Sequence, residues 1–129
     1  MITEDYVSFE TAKLLKEKGF DEPVYRRISI NNLIFVKEEP EDFNHKLSAY
    51  CSQPTLQMAM KWLRENFNID PVPYATSIGW YFEVFDLTQR DITGCALLYQ
   101  VGIPSKECTF DTYEEACEAA IKYCLENLI

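Results

Sequence analysis

FDTYEEACEAAIKYCLENLI, residues 110–129, is the stretch whose reading decides the fold. Thr112 followed three residues later by Glu115 spells a capping box, in which hydroxyl and carboxylate each take an amide left unpaired at a helix start. Asp111 with Glu114 offers the same device one residue earlier. Tyr113, Ala116, Cys117, Ala120, Ile121, Cys124 and Leu128 then recur at helical spacing and define one inward face. Alanine and cysteine on that face let the backbone approach whatever lies beneath it. The segment therefore predicts a helix lying as a lid on a sheet. Glu114, Glu118 and Lys122 point outward, with Glu118 and Lys122 spaced to pair.

The strongest strand beneath that lid is WYFEVFDL, residues 80–87. Its alternating faces are Trp80, Phe82, Val84, Asp86 and Tyr81, Glu83, Phe85, Leu87. Neither face is polar throughout, so both are partly covered or one carries an aromatic patch. Residues 88–94 read as a polar turn and 95–101 as the next strand. Upstream, Pro71 and Pro73 lack ladder donors, which restricts residues 69–77 to an edge strand or to a strand beginning after Pro73. Nearer the N-terminus, residues 24–30 and 33–37 are strand-like. They flank Asn31-Asn32, and because asparagine tolerates positive φ the pair reads as a two-residue hairpin turn. Glu38, Glu39, Pro40, Glu41 and Asp42 break the pattern, and residues 38–53 read as an exposed connection.

Two further helices complete the pattern. Residues 9–18 start after Ser8 as N-cap, with Val7 and Ala12 placed as a hydrophobic staple. They stop at Gly19, with Phe20 turned back toward Leu15. Residues 54–67 begin with Pro54 in the first helical position, capped by Gln53 or Ser52. Leu56, Ala59, Met60, Leu63 and Phe67 form the apolar stripe, Met58 and Trp62 widen it or stand at its margin, and Asn66 and Asn68 mark the exit. The expected fold is α+β: one domain over residues 1–129, an antiparallel sheet of about five strands, and three helices in the order α-β-β-α-β-β-β-α.

Charge narrows the function. Against 21 acidic residues stand 12 basic ones, giving a net charge of −9 with no basic stripe for a phosphate backbone. That disfavours direct nucleic-acid binding and suits solubility or a basic partner. Five cysteines, an odd number without a C-x-x-C pair, point away from a disulfide framework and toward a reducing cytosol. The N-terminus lacks a signal-peptide pattern, and no apolar run approaches the roughly 20 residues that span a bilayer. A cytoplasmic protein without a membrane partner is the expectation.

Catalytic patterns are thin. His45 is the single histidine, in a predicted loop, and reads as a solvated imidazole. Scattered cysteines and one histidine do not make a zinc set, and the acidic run at 38–42 lacks the calcium-loop pattern. Four glycines write no phosphate-cradling loop. Glu83 and Asp86 fall on opposite faces of one strand and cannot converge as an acid–base pair. The reading is no catalytic residue, no metal and no cofactor.

Three pieces of the chain, TAKLLKEKGFD (11–21), PTLQMAMKWLRE (54–65) and TYEEA (112–116) with its helix, resemble in order and spacing a group of small uncharacterised proteins. Those are encoded by gut Bacteroidales, often within prophages, and by phages of these bacteria. The resemblance implies a phage-related origin and carries over no activity or site residue. The expected function is a non-enzymatic protein-interaction module, binding a protein partner or itself as a homodimer. Its candidate surface is Trp80, Tyr81 and Phe82 together with Glu38, Glu39, Glu41 and Asp42. Two alternatives remain open: an acidic mimic of nucleic acid that inhibits a DNA-binding protein, and a ligand binder or enzyme using an aromatic pocket near Tyr74, Tyr81 and Glu83.

Overall fold

A computed structural model describes residues 1–45, 49–99 and 109–129. Among these the order is α1 (Phe9–Glu17), β1 (Val24–Ser29), β2 (Ile34–Glu41), a short 3-10 helix (Phe43–His45), β3 (Tyr50–Ser52), α2 (Leu56–Phe67), β4 (Ile69–Thr76), β5 (Gly79–Arg90), β6 (Ala96–Leu98) and α3 (Tyr113–Asn127). The class is α+β, with three α-helices and two antiparallel three-stranded sheets, ordered β2-β1-β3 and β4-β5-β6. This corrects the expectation of one sheet of about five strands. The chain forms two compact units, Met1–Ala59 and Met60–Ile129, and the division falls inside α2.

In the first unit, α1 begins as its sequence dictates. The Ser8 hydroxyl accepts from the Thr11 amide at 3.3 Å. The helix closes with the Phe20 amide on the Leu15 carbonyl at 2.9 Å and the Gly19 amide on that of Lys16 at 3.2 Å. Val7, Ala12, Leu15 and Phe20 are all buried, and removing each large apolar side chain from water contributes roughly 1.5–3 kcal/mol. The β1–β2 connection is a correction. Ser29 donates its amide to the Leu33 carbonyl at 3.1 Å, so the loop holds Ile30, Asn31 and Asn32, with only Asn32 left-handed at φ 58°. Three residues ending in a left-handed one are the next hairpin solution after the two-residue turn.

The expected exposed connection over 38–53 is also corrected. β2 continues to Glu41, Phe43 is buried, and Tyr50–Ser52 pair with β1. Asn44 clamps this region: its side-chain amide donates to the Phe20 carbonyl and its oxygen accepts from the Ser52 amide, both at 2.9 Å. The Phe43 amide donates to the Ser52 hydroxyl at 3.0 Å. These bonds link residues distant in sequence, and no local pattern announces them.

α2 starts two residues later than its Pro54 start predicts. The Thr55 hydroxyl accepts from the Met58 amide at 3.1 Å and its carbonyl from Ala59 at 3.1 Å, which makes Thr55 the N-cap. Of the two residues that either widen the stripe or stand at its margin, Trp62 widens it, buried at 5% exposure, while Met58 is exposed. The helix ends at Phe67, and Asn68 takes the left-handed position after it at φ 55°.

In the second unit β4 runs through both prolines as an edge strand. The Leu87 amide bonds the Asn68 carbonyl, and alternation along the ladder then turns the Pro71 and Pro73 nitrogens away from β5. α3 packs on β4 and β5 as the lid. Its Thr112 cap accepts from the Glu115 amide at 3.1 Å, and the Glu115 carboxylate reaches back to the Asp111 amide at 3.2 Å. Ala116, Cys117, Ala120, Ile121 and Cys124 are fully buried, and so is Leu125. β5 is longer than predicted and β6 covers only 96–98 of the expected strand; residues 100 and 101 of that strand lie outside the described residues.

Candidate interaction surface

The β1–β2 hairpin carries the most unusual surface. Ile30, Leu33, Ile34, Phe35 and Val36 are 70, 61, 49, 46 and 64% exposed. Folding leaves such apolar area in water only at a cost; by alternation Ile34 and Val36 share one face of β2 and Phe35 lies on the other. β2 is also the edge of its sheet. Ser29 and Leu33 form a hydrogen-bonded pair, so by alternation Phe35 faces β1 with its backbone groups, while those of Ile34 and Val36 point outward. The sequence marked residues 33–37 as a strand but held no signal that the strand would be left uncovered. Its four consecutive apolar residues point instead to a strand covered on both faces.

Arg27 braces this edge from the neighbouring strand. Its guanidinium lies 4.3 Å from the centroid of Tyr50, 4.5 Å from Phe35 and 5.6 Å from Phe43. The buried Nε atom has no hydrogen-bond partner; the negative ring faces supply the compensation for the charge.

Beyond Val36 the ladder is interrupted. The register passes from Arg26 opposite Val36 to Val24 opposite Glu41, which sets Tyr25 alone against Lys37, Glu38, Glu39 and Pro40. The predicted acidic site thus sits on a bulge of a strand, not on a loop. Lys37 pairs with Glu41 across it at 2.5 Å. Asp42 accepts from the Asn44 amide at 2.9 Å and lies 3.9 Å from His45, whose Nδ1 contacts the Asp42 carbonyl. The four carboxylates therefore do not form one uninterrupted row of charge. His45 is surface-exposed on its short helix.

The aromatic half of the predicted surface separates by face. Phe82 is 1% exposed, between Phe110 and Tyr123, and belongs to the core. That corrects its place on a contact surface: period-two alternation turns it under α3 along with Val84. Trp80 is half-buried against Tyr113 at 5.4 Å, covered by the first residue of the lid. Tyr81 alone turns to the other face, edge-on to Tyr74 at 5.7 Å. Tyr74 donates its hydroxyl to Glu83, so the three residues named for an aromatic pocket do converge. Removal from water, then the Glu83 charge and hydrogen bond, raise the Tyr74 phenol above its ordinary value. A phenol held protonated is a donor, not a base. Glu83 and Asp86 stand opposite Val72 and Ile69 on opposite faces, as alternation requires. Asp86 is held below the usual carboxylate range by its hydrogen bonds from Thr88.

The described cysteines are free thiols: Cys95 is exposed, and Cys51, Cys117 and Cys124 are buried. Cys108 lies outside the described residues. Burial pushes Cys117 up to about 11 and Cys124 up to about 12. No helix among the described residues is long and apolar enough to cross a membrane. Comparison with protein-family models, curated proteins and solved structures returns no match to this chain.

Proposed function

We propose that this protein is a non-enzymatic interaction module that binds an extended segment, from a protein partner or from a second copy of itself, along the outer edge of β2. The observation that carries the reading is the open edge of Ile34–Val36, with apolar side chains exposed and two sets of backbone groups directed outward. Strand addition uses those two features together, main-chain bonds for affinity and alternate side chains for selectivity. The contrast with β4 supports it, because Pro71 and Pro73 block the outer edge there. The phage-related origin rests on the pieces at 11–21, 54–65 and 112–116 and predicts a gene set among phage genes.

Val36→Pro is the decisive variant. It removes an outward amide while leaving the β1–β2 ladder bonds in place. Light scattering over a concentration series is expected to find a dimer in the parent chain, or a pull-down from the native host to find a partner. Val36→Pro is expected to abolish the association with an unchanged circular-dichroism spectrum. A strict monomer at high concentration, with partner capture indifferent to Val36→Pro, would overturn the reading.

A further inference from the structure

A groove of about 400 Å³ lies in the first unit between α1 and the β3 end of its sheet. Phe9, Ile30, Ala49 and Cys51 supply its apolar wall, and Lys13, Lys16 and Glu17 its charged rim. Phe9, Lys13, Lys16 and Glu17 share one side of α1 because helical spacing stacks residues three, four and seven apart. The Lys16 ammonium is held by the Tyr50 carbonyl at 2.9 Å, which fixes it before any ligand arrives. Both lysines lie close enough to Cys51 to favour its thiolate, against the larger opposing effect of burial.

We propose that this groove binds a small amphipathic monoanion, a carboxylate carrying an apolar tail. Its volume falls within the roughly 300–1,000 Å³ of ordinary ligand sites, and an apolar wall with a few placed polar groups is the composition such sites have. Two ammonium groups and one carboxylate leave a single net positive charge on the rim. A monoanion balances that charge, whereas the second charge of a phosphate dianion would meet Glu17. The tail would lie along Phe9 and Ala49 over Cys51, with the carboxylate on Lys13 and Lys16. The groove shares Ile30 with the hairpin surface but none of the Ile34–Val36 edge used in strand addition, so either proposal can fail alone.

Decanoate is the probe, below its micellar concentration, with decanol and inorganic phosphate as controls. Two-dimensional amide NMR is expected to show saturable decanoate shifts centred on α1 and Cys51, with decanol and phosphate at least about fivefold weaker, the scale of one exposed charge pair. Lys13 and Ala49 are exposed, so Lys13→Glu and Ala49→Trp leave the fold intact. The first is expected to weaken decanoate about fivefold to tenfold, and the second to block it. Equal binding of decanol, unchanged affinity in both variants, or shifts confined to residues 33–36 would overturn the proposal.

Discussion

Gly79→Ala tests the packing that seats α3. Gly79 has φ 149°, a conformation essentially confined to glycine, and an added Cβ would stand 2.8 Å from the Phe110 carbonyl oxygen and 3.4 Å from the Thr109 Cβ. That oxygen cannot simply retreat. It accepts the Trp80 amide at 2.7 Å, and the Phe110 amide returns a bond to the Trp80 carbonyl at the same distance. The backbone conformation costs about 1–3 kcal/mol in any other residue. Forcing the carbonyl back adds about 1–3 kcal/mol. One backbone shift relieves part of both, so the expected loss is about 2–4 kcal/mol, or roughly 10 °C in melting temperature for a chain this long. Gly94→Ala is the control: φ is 89°, and nothing lies within 4 Å of its added Cβ. It carries the conformational cost alone, about 1 kcal/mol. Urea titration and thermal melts of both variants measure the difference. A Gly79→Ala chain no less stable than Gly94→Ala would refute the close approach of Phe110 to β5.

Other expectations follow from single contacts. Thr112→Ala removes the α3 cap and is expected to cost about 1 kcal/mol in a urea melt. Asn32→Val puts a β-branched residue at φ 58° and is expected to cost about 1–2 kcal/mol, while Asn32→Gly is expected to be neutral or better. Arg27→Leu strips the charge from among Tyr50, Phe35 and Phe43 and is expected to lower stability by about 1–2 kcal/mol, read in the same melt. The buried thiols fix a pH dependence. Burial holds the folded Cys117 and Cys124 thiols up at about 11 and about 12, against 9.0 for an unperturbed thiol. Between those values the unfolded chain has lost protons that the folded chain keeps, so their contribution is complete below pH 9 and falls as pH rises above it. Thermal melts at neutral and alkaline pH should show that decline, and Cys124→Ala should flatten it.

How much the sequence disclosed depends on the reach of each interaction. Ser8, Gly19 and Thr112 act within one helical turn, and their caps could be read directly. Faces of β5 followed from alternation, which placed Phe82 and Val84 together and set Glu83 apart from Asp86. What escaped was long-range. The bonds of Asn44 to Phe20 and Ser52 turn a stretch of acidic and polar residues into a short helix and a third strand. Thr55 displaced Pro54 as the start of α2, although both carry start signals. The open edge at Ile34–Val36 was written in the chain as an apolar strand, but exposure is a property of what fails to cover it. The aromatic and acidic residues chosen for a surface divided accordingly, with Phe82 inside and Tyr81 on the far face.

The bulge at Lys37–Pro40 has a consequence for the protein's solubility in a crowded cell. Four apolar residues ending in Val36 are a short nucleus for runaway stacking, and any strand that added there could in turn offer its own free side to the next chain. Immediately afterward the backbone leaves the ladder, Glu38 and Glu39 repel a second identical pair, and Pro40 withholds a donor. If a segment docks as proposed, its length is thereby capped at a few residues. Growth into a fibre would need an in-register stack of like charges, so these residues act as gatekeepers. The same bulge that interrupts the strand would limit how many copies could follow a first one docked as proposed.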